Sequence, residues 1–279
     1  MDALSPLNGI GRCAMKQGLR GWFQRHPLMM FYLLAFLFSW LGWIPQLLTA
    51  RGVWRVEHPL LTFLGGGGPT LAAVLVVWLT QGRQAVGGLF ARLFDVRAGW
   101  RWLGVVLAFW IITGAVALGL MALFTPHRPE LQGFSWGALA PVFVAMLLSN
   151  VWEEIGWRGF ALPRFQERFS DWHTALIMSV LWSVWHLPLL LNPDHPMSGL
   201  PWGVEWLFSL SLTVMYIWLY RQTRGSLFYV TVFHALSNTL AFAFLEWGVF
   251  FASYGFVVGA VTLAAVWVLR TSPSRTQGG

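Results

Sequence analysis

Charge is what this chain lacks most. Only 10% of its 279 residues are Asp, Glu, Lys or Arg, against about 25% in a soluble domain. A soluble fold of this length has a surface that so few charges cannot cover, so one or two ordinary soluble domains are excluded. Cysteine is reduced to Cys13, which excludes an intrachain disulfide and the disulfide-rich class. Lysine is reduced to Lys16 among 18 basic residues. Apolar residues make up 57%, which excludes a disordered chain. With a mean hydropathy of +0.60, the remaining class is a polytopic membrane protein.

Eight hydrophobic segments are legible, at about 28–50, 58–80, 102–124, 136–162, 173–191, 202–220, 226–245 and 247–269. Each is about long enough to cross a 30 Å hydrocarbon core as a helix. They are continuous runs without in/out alternation, which disfavours a β-barrel. The first is too long for the core of a cleavable signal and is read as a span. The expected fold is therefore all-α, with eight transmembrane helices. It divides into a basic N-terminal segment 1–27, a membrane domain 28–270 and a polar tail 271–279.

The net charge of +7 would suggest nucleic acid in a soluble protein, but its distribution points to topology. Cytoplasmic loops hold the excess of Lys and Arg. Fifteen of the 18 basic residues fall in the N-terminal segment, the loops after spans 2, 4 and 6, and the tail; Arg51, Arg55 and Arg128 are the exceptions. Both termini are thus expected in the cytoplasm, and no nucleic-acid partner is implied. The basic stretch 11–25 also reads as an interfacial helix or a plain orienting flank. The Gly65–Gly68 run reads as a helix break or a close approach, and Gly255 with Gly259 as a helix-contact pair.

Charged side chains inside a span are costly and usually functional. Span 4 contains Ser149-Asn150-Val151-Trp152-Glu153-Glu154-Ile155-Gly156-Trp157-Arg158. Glu154 and Arg158 are four apart and can pair on one face. Glu153, about 100° away, is left free as a base. The bland alternative is a solvated cluster at the end of the span. His186 lies in span 5 just before Leu187-Pro188, where it could be structural. His234 and Asn238 share a face of span 7, where they could glue helices together. Counted from the cytoplasmic ends at 1.5 Å per residue, Glu153, His186, His234 and Asn238 lie about 13–20 Å deep. That common layer favours one site over three unrelated features.

The HExxH zinc motif is absent, and no serine or cysteine stands out with a matching base. Water activated by Glu153 with a histidine remains, with or without a metal, and a peptide or amide bond is its natural target. A divalent ion such as zinc would find its candidate ligands in Glu153, His186 and His234. An ion-coupled transporter with a Glu–His relay and a non-catalytic scaffold remain as alternatives.

The three elements, EExxxR (Glu153, Glu154, Arg158), aromatic-xxxH (Trp182, His186) and HxxxN (His234, Asn238), resemble the CAAX-protease and bacteriocin-processing family of intramembrane endopeptidases. The resemblance covers about 140–245. It implies an eight-helix core and a membrane-associated peptide or protein substrate in the lipid bilayer. Glu153 matches the water-activating glutamate and His186 its assistant. His234 and Asn238 match the oxyanion-binding pair, and Glu154 and Arg158 supporting positions. The family has been described as metal-dependent. Its second motif usually reads FxxxH, so Trp182 is a departure, expected to matter little because aromatic packing is kept. Arginine bias and short loops suggest a bacterial cytoplasmic membrane.

Overall fold

The computed structural model describes residues 21–56 and 58–271. Cys13, most of the 11–25 stretch and the tail beyond residue 271 lie outside the described residues; residues 21–25 are helical. Among the described residues every regular element is a helix. They are α1 Pro27–Ala50, α2 Pro59–Gln81, the short α3 Arg83–Ala91, and α4 Arg101–Phe124. Next comes α5, which starts at Leu139, runs as an α-helix to Glu154, widens into a π-helix over Ile155–Ala161 and continues to Gln166. Then follow α6 Asp171–Trp185, the one-turn α7 Leu187–Leu190, α8 Trp202–Gln222, α9 Leu227–Glu246 and α10 Phe250–Thr271.

Seven of these helices are long and apolar enough to cross a membrane. They carry a lipid-facing exterior: Leu33, Leu37 and Leu41 on α1, Ile111 and Ile112 on α4, and Leu263 on α10 are exposed. In water such a surface would be an aggregation hazard; in a bilayer it is the expected boundary. The chain is an integral, multi-pass membrane protein. Trp100, Trp136, Trp172, Trp202 and Trp267 are exposed near helix ends, where indoles anchor at the interface. Trp247, also at a helix end, is instead buried against Phe134 and Phe244.

The expected fifth span is where structure and sequence reading differ. Segment 173–191 is not one helix but α6 and α7, joined at His186. Pro188 has no N–H to donate and its ring crowds the preceding turn, which favours the break seen here. The exposed backbone is satisfied locally: Trp40 Nε1 donates to Trp185 O at 3.1 Å, and the amides of Leu189 and Leu190 donate to His186 O. A helix break within the membrane requires such replacements.

The glycines resolve differently. Helix α2 passes through Gly65–Gly68 and Pro69 without a break, so close approach is the correct reading. A Cβ on Gly68 would lie 2.8 Å from Ala35 O on α1. One on Gly156 would lie 2.6 Å from Pro69 O, so the π-helical stretch of α5 rests directly on α2. Gly255 and Gly259 have nothing within 4 Å of a built Cβ, so among the described residues they mediate no helix contact. Helices α5, α6, α8 and α9 pack together with α2 behind them. The largest buried side chains, Trp157, Trp185, Arg158 and Tyr216, come from this group.

Candidate active site

The EExxxR element sits where α5 changes from α to π geometry. Such widened turns add a residue to the helix and recur at functional sites. Glu154 and Arg158 are buried and joined by a 3.0 Å salt bridge between Glu154 Oε1 and Arg158 Nη1, the pairing their spacing predicts. The same oxygen contacts His234 Nδ1 on α9 at 2.8 Å. Arg158 is also sandwiched between aromatics: its guanidinium carbon lies 3.9 Å from the Tyr216 ring centre and 4.5 Å from that of Trp182. A carboxylate removed from water is tolerable only when so paired. Glu154 is therefore neutralised and committed.

Glu153 is only partly buried. Its Oε2 accepts a hydrogen bond from Trp182 Nε1 on α6 at 3.2 Å. The other polar groups surround the same indole. The Trp182 ring lies 5.4 Å from the His186 ring and 5.7 Å, edge-on, from the His234 ring. Asn238 Nδ2, one turn after His234, donates to Asn150 Oδ1 at 3.2 Å. The sequence-predicted residues thus gather from α5, α6 and α9 around Trp182. Glu154, Arg158 and His234 form the buried side, whereas Glu153, His186 and Asn238 keep partial exposure.

Asn150, Glu205 and Tyr216 were not singled out as site residues from sequence, and Trp182 was given a narrower part. Asn150 is buried and fixes which end of the Asn238 amide donates; its position one turn before Glu154 was the available signal. Glu205, on the first turn of α8, is buried against Ser183, Ser209 and His186. Trp182 was expected to contribute ring packing alone, but its N–H reaches Glu153, which a phenyl ring at this position could not do. Tyr216 was visible only as an apolar-helix tyrosine.

The ligand arrangement does not fit a resident metal ion. A catalytic zinc takes three protein ligands, and among the described residues no three His, Cys, Asp or Glu side chains are grouped to supply them. Glu154 is held by Arg158 and His234, and His186 Nδ1 faces Glu205. No chemical step below is routed through a metal.

Two comparisons bear on the family resemblance. Residues 135–240 match the family model described as type II CAAX prenyl endopeptidase, Rce1-like. The chain is also 22% identical over 223 residues to the CAAX prenyl protease 2 of Methanococcus maripaludis, covering 75% of this chain and 82% of that relative. The resemblance read from the three motifs is borne out by both. The family match covers the segment that carries all three motifs, and it supports an intramembrane endopeptidase acting on a peptide or protein substrate in the membrane.

Proposed function

We propose that this chain is an intramembrane endopeptidase in which Glu153 activates the attacking water. The observation that carries this reading is the different fate of two adjacent carboxylates. Glu154 is fully buried and paired through Oε1 with Arg158 and His234, while Glu153 is only partly buried and its Oε2 accepts a single indole hydrogen bond. Glu153 removes a proton from water as the water oxygen attacks the carbonyl carbon of the scissile bond. General-base help of this kind contributes about 10²–10⁴-fold.

The negative charge then develops on the former carbonyl oxygen, where preorganised donors count most. Asn238 has two amide hydrogens, one engaged by Asn150; the second donates to the oxyanion. His234 contacts Glu154 through Nδ1, so in its protonated form, opposite that carboxylate, Nε2–H is the other donor. When the C–N bond breaks, the amine leaves with the proton that Glu153 took, relayed through His186. Basic residues on the loops next to α2, α5 and α8 support a site that opens toward the cytoplasm.

The substrate is proposed to be a membrane-anchored peptide, and the similar protein's name directs the first probe. That probe is a fluorescence-quenched peptide ending in a farnesylated cysteine and three further residues, presented in proteoliposomes. Wild-type protein cleaves it, and Glu153→Gln, inserted equally well, loses about 10²–10⁴-fold in rate. Retained cleavage by Glu153→Gln refutes the assigned base. No cleavage by wild type of this peptide, a geranylgeranylated one or a transmembrane peptide refutes the endopeptidase reading.

A further inference from the structure

Helix α8 carries an acid that the mechanism above does not use. Glu205 is 2% exposed, and burying a carboxylate costs several kcal/mol unless its oxygens are satisfied. They are satisfied: Ser209, one turn later on α8, donates to Oε1 at 2.7 Å, and Ser183 Oγ on α6 donates to Oε2. The first turn of α8, with its unpaired amides, adds a favourable dipole for the negative charge. The remaining neighbour is His186, whose Nδ1 lies 3.5 Å from Glu205 Oε1. That Nδ1 is buried and has no closer partner among the described residues. Ser183 and His186 are three apart at the end of α6, so the helix break at Pro188 presents both to the same carboxylate.

We infer that Glu205 is a positioning residue for His186. Its carboxylate selects the His186 tautomer with hydrogen on Nδ1, which leaves Nε2 as the nitrogen that exchanges a proton. It also stabilises the imidazolium formed while the proton is in transit. A histidine's two nitrogens are distinguished by the partner that one of them keeps. A 3.5 Å contact in the resting protein is consistent with this, since catalytic hydrogen bonds tighten when charge develops. Ser183 and Ser209 hold the carboxylate so that it cannot turn away. The inference rests on the endopeptidase reading and adds a residue to it.

The test is steady-state cleavage of the farnesylated quenched peptide by full-length protein in proteoliposomes. Glu205→Gln keeps the shape and an acceptor for the serines, but offers His186 an amide in place of a charge. It lowers kcat about 10–100-fold, the usual scale for loss of a supporting carboxylate, with KM within about twofold. Glu205→Asp recovers part of the loss. In a His186→Ala background, Glu205→Gln costs less than about twofold more, because residues acting as a unit are not additive. Wild-type kcat in Glu205→Gln, or losses that multiply with His186→Ala, overturn the inference. Should Glu205→Gln fail to insert, Glu205→Asp decides: reduced kcat at unchanged KM supports the role, and wild-type kcat overturns it. An inactive wild type, or an active Glu153→Gln, is the separate failure of the endopeptidase reading.

Discussion

Arg158 is the most heavily invested charge in the molecule, so Arg158→Ala is the sharpest test of how the site is held. Its side chain is 2% exposed and Glu154 is 0% exposed. Removing the arginine leaves Glu154 with only His234 as a charged neighbour. Breaking a buried pair by deleting one partner costs about 3–5 kcal/mol. Loss of the stack on Tyr216 and Trp182 adds about 1–2 kcal/mol, the desolvated cation–π range. Protonation of Glu154 limits the penalty, so about 4–6 kcal/mol is the working figure. At about 2–4 °C per kcal/mol for chains of this size, Tm falls by roughly 10–20 °C. The measurement is thermal unfolding of detergent-solubilised protein followed by the fluorescence of its 19 tryptophans. Arg158→Lys falls between, because it keeps the charge but loses the planar fork and stack. Glu154→Gln combined with Arg158→Met recovers at least about 2 kcal/mol relative to the summed single losses, since no unpaired charge is left. A Tm for Arg158→Ala within about 2 °C of wild type, or strict additivity in the double variant, refutes the claim that this pair is buried and coupled.

Two further outcomes are expected. Gly156→Ala should lower stability by about 1–3 kcal/mol through overpacking, because its Cβ meets Pro69 backbone atoms 2.6 Å away, whereas Gly66 has nothing within 4 Å. Gly66→Ala should therefore gain about 0.5–1 kcal/mol in the same thermal assay, and equal effects at the two positions would contradict the close contact of α2 and α5. His195, in the loop after α7, has its pKa lowered to about 4 by burial and secondarily by nearby His186. The unfolded chain, with a histidine pKa near 6.5, then binds more protons than the folded one between about pH 6.5 and 4. Stability contributed by neutral His195 is lost as pH falls through that window. His195→Asn should flatten this part of the stability–pH curve, and an unchanged slope would count against it.

Much of the architecture was legible because membrane helices obey a single length rule and because charge was scarce. With so few acids in the chain, Glu153 and Glu154 inside an apolar run stood out, as did His186, His234 and Asn238. What could not be read was lateral. Depth along a helix follows from residue counting, but which face of α8 meets which face of α6 depends on packing between distant segments. Glu205 was therefore not assigned to the site, although Ser183 and Ser209 enclose it beside His186. The broken fifth segment had a visible cause in Pro188, yet hydropathy averages over a break without registering it. Trp182 was judged by its ring, and only the placement of α6 against α5 shows that its N–H has a carboxylate to donate to.

Glu153 and Glu154 directly precede the widened turn. Neighbouring residues on a helix point about 100° apart, enough to place one carboxylate inward and the other toward accessible space. An ordinary α-helix continuing past Glu154 would carry the next turn around in strict register. The π-helical stretch Ile155–Ala161 takes an additional residue into its turn instead. It buries Trp157, Arg158 and Phe160 together while Gly156 meets Pro69 and Gly159 O accepts from Arg92. Arg92, at the end of α3, also donates to Gly225 O in the turn before α9, so one side chain ties the widened turn to the helix that carries His234. The two glycines supply the room for this path, one against α2 and the other against Leu227 of α9. The motif is thus a backbone device as well as a set of charges: the helix widens directly after Glu154, and the widened turn carries the buried arginine that pairs with it.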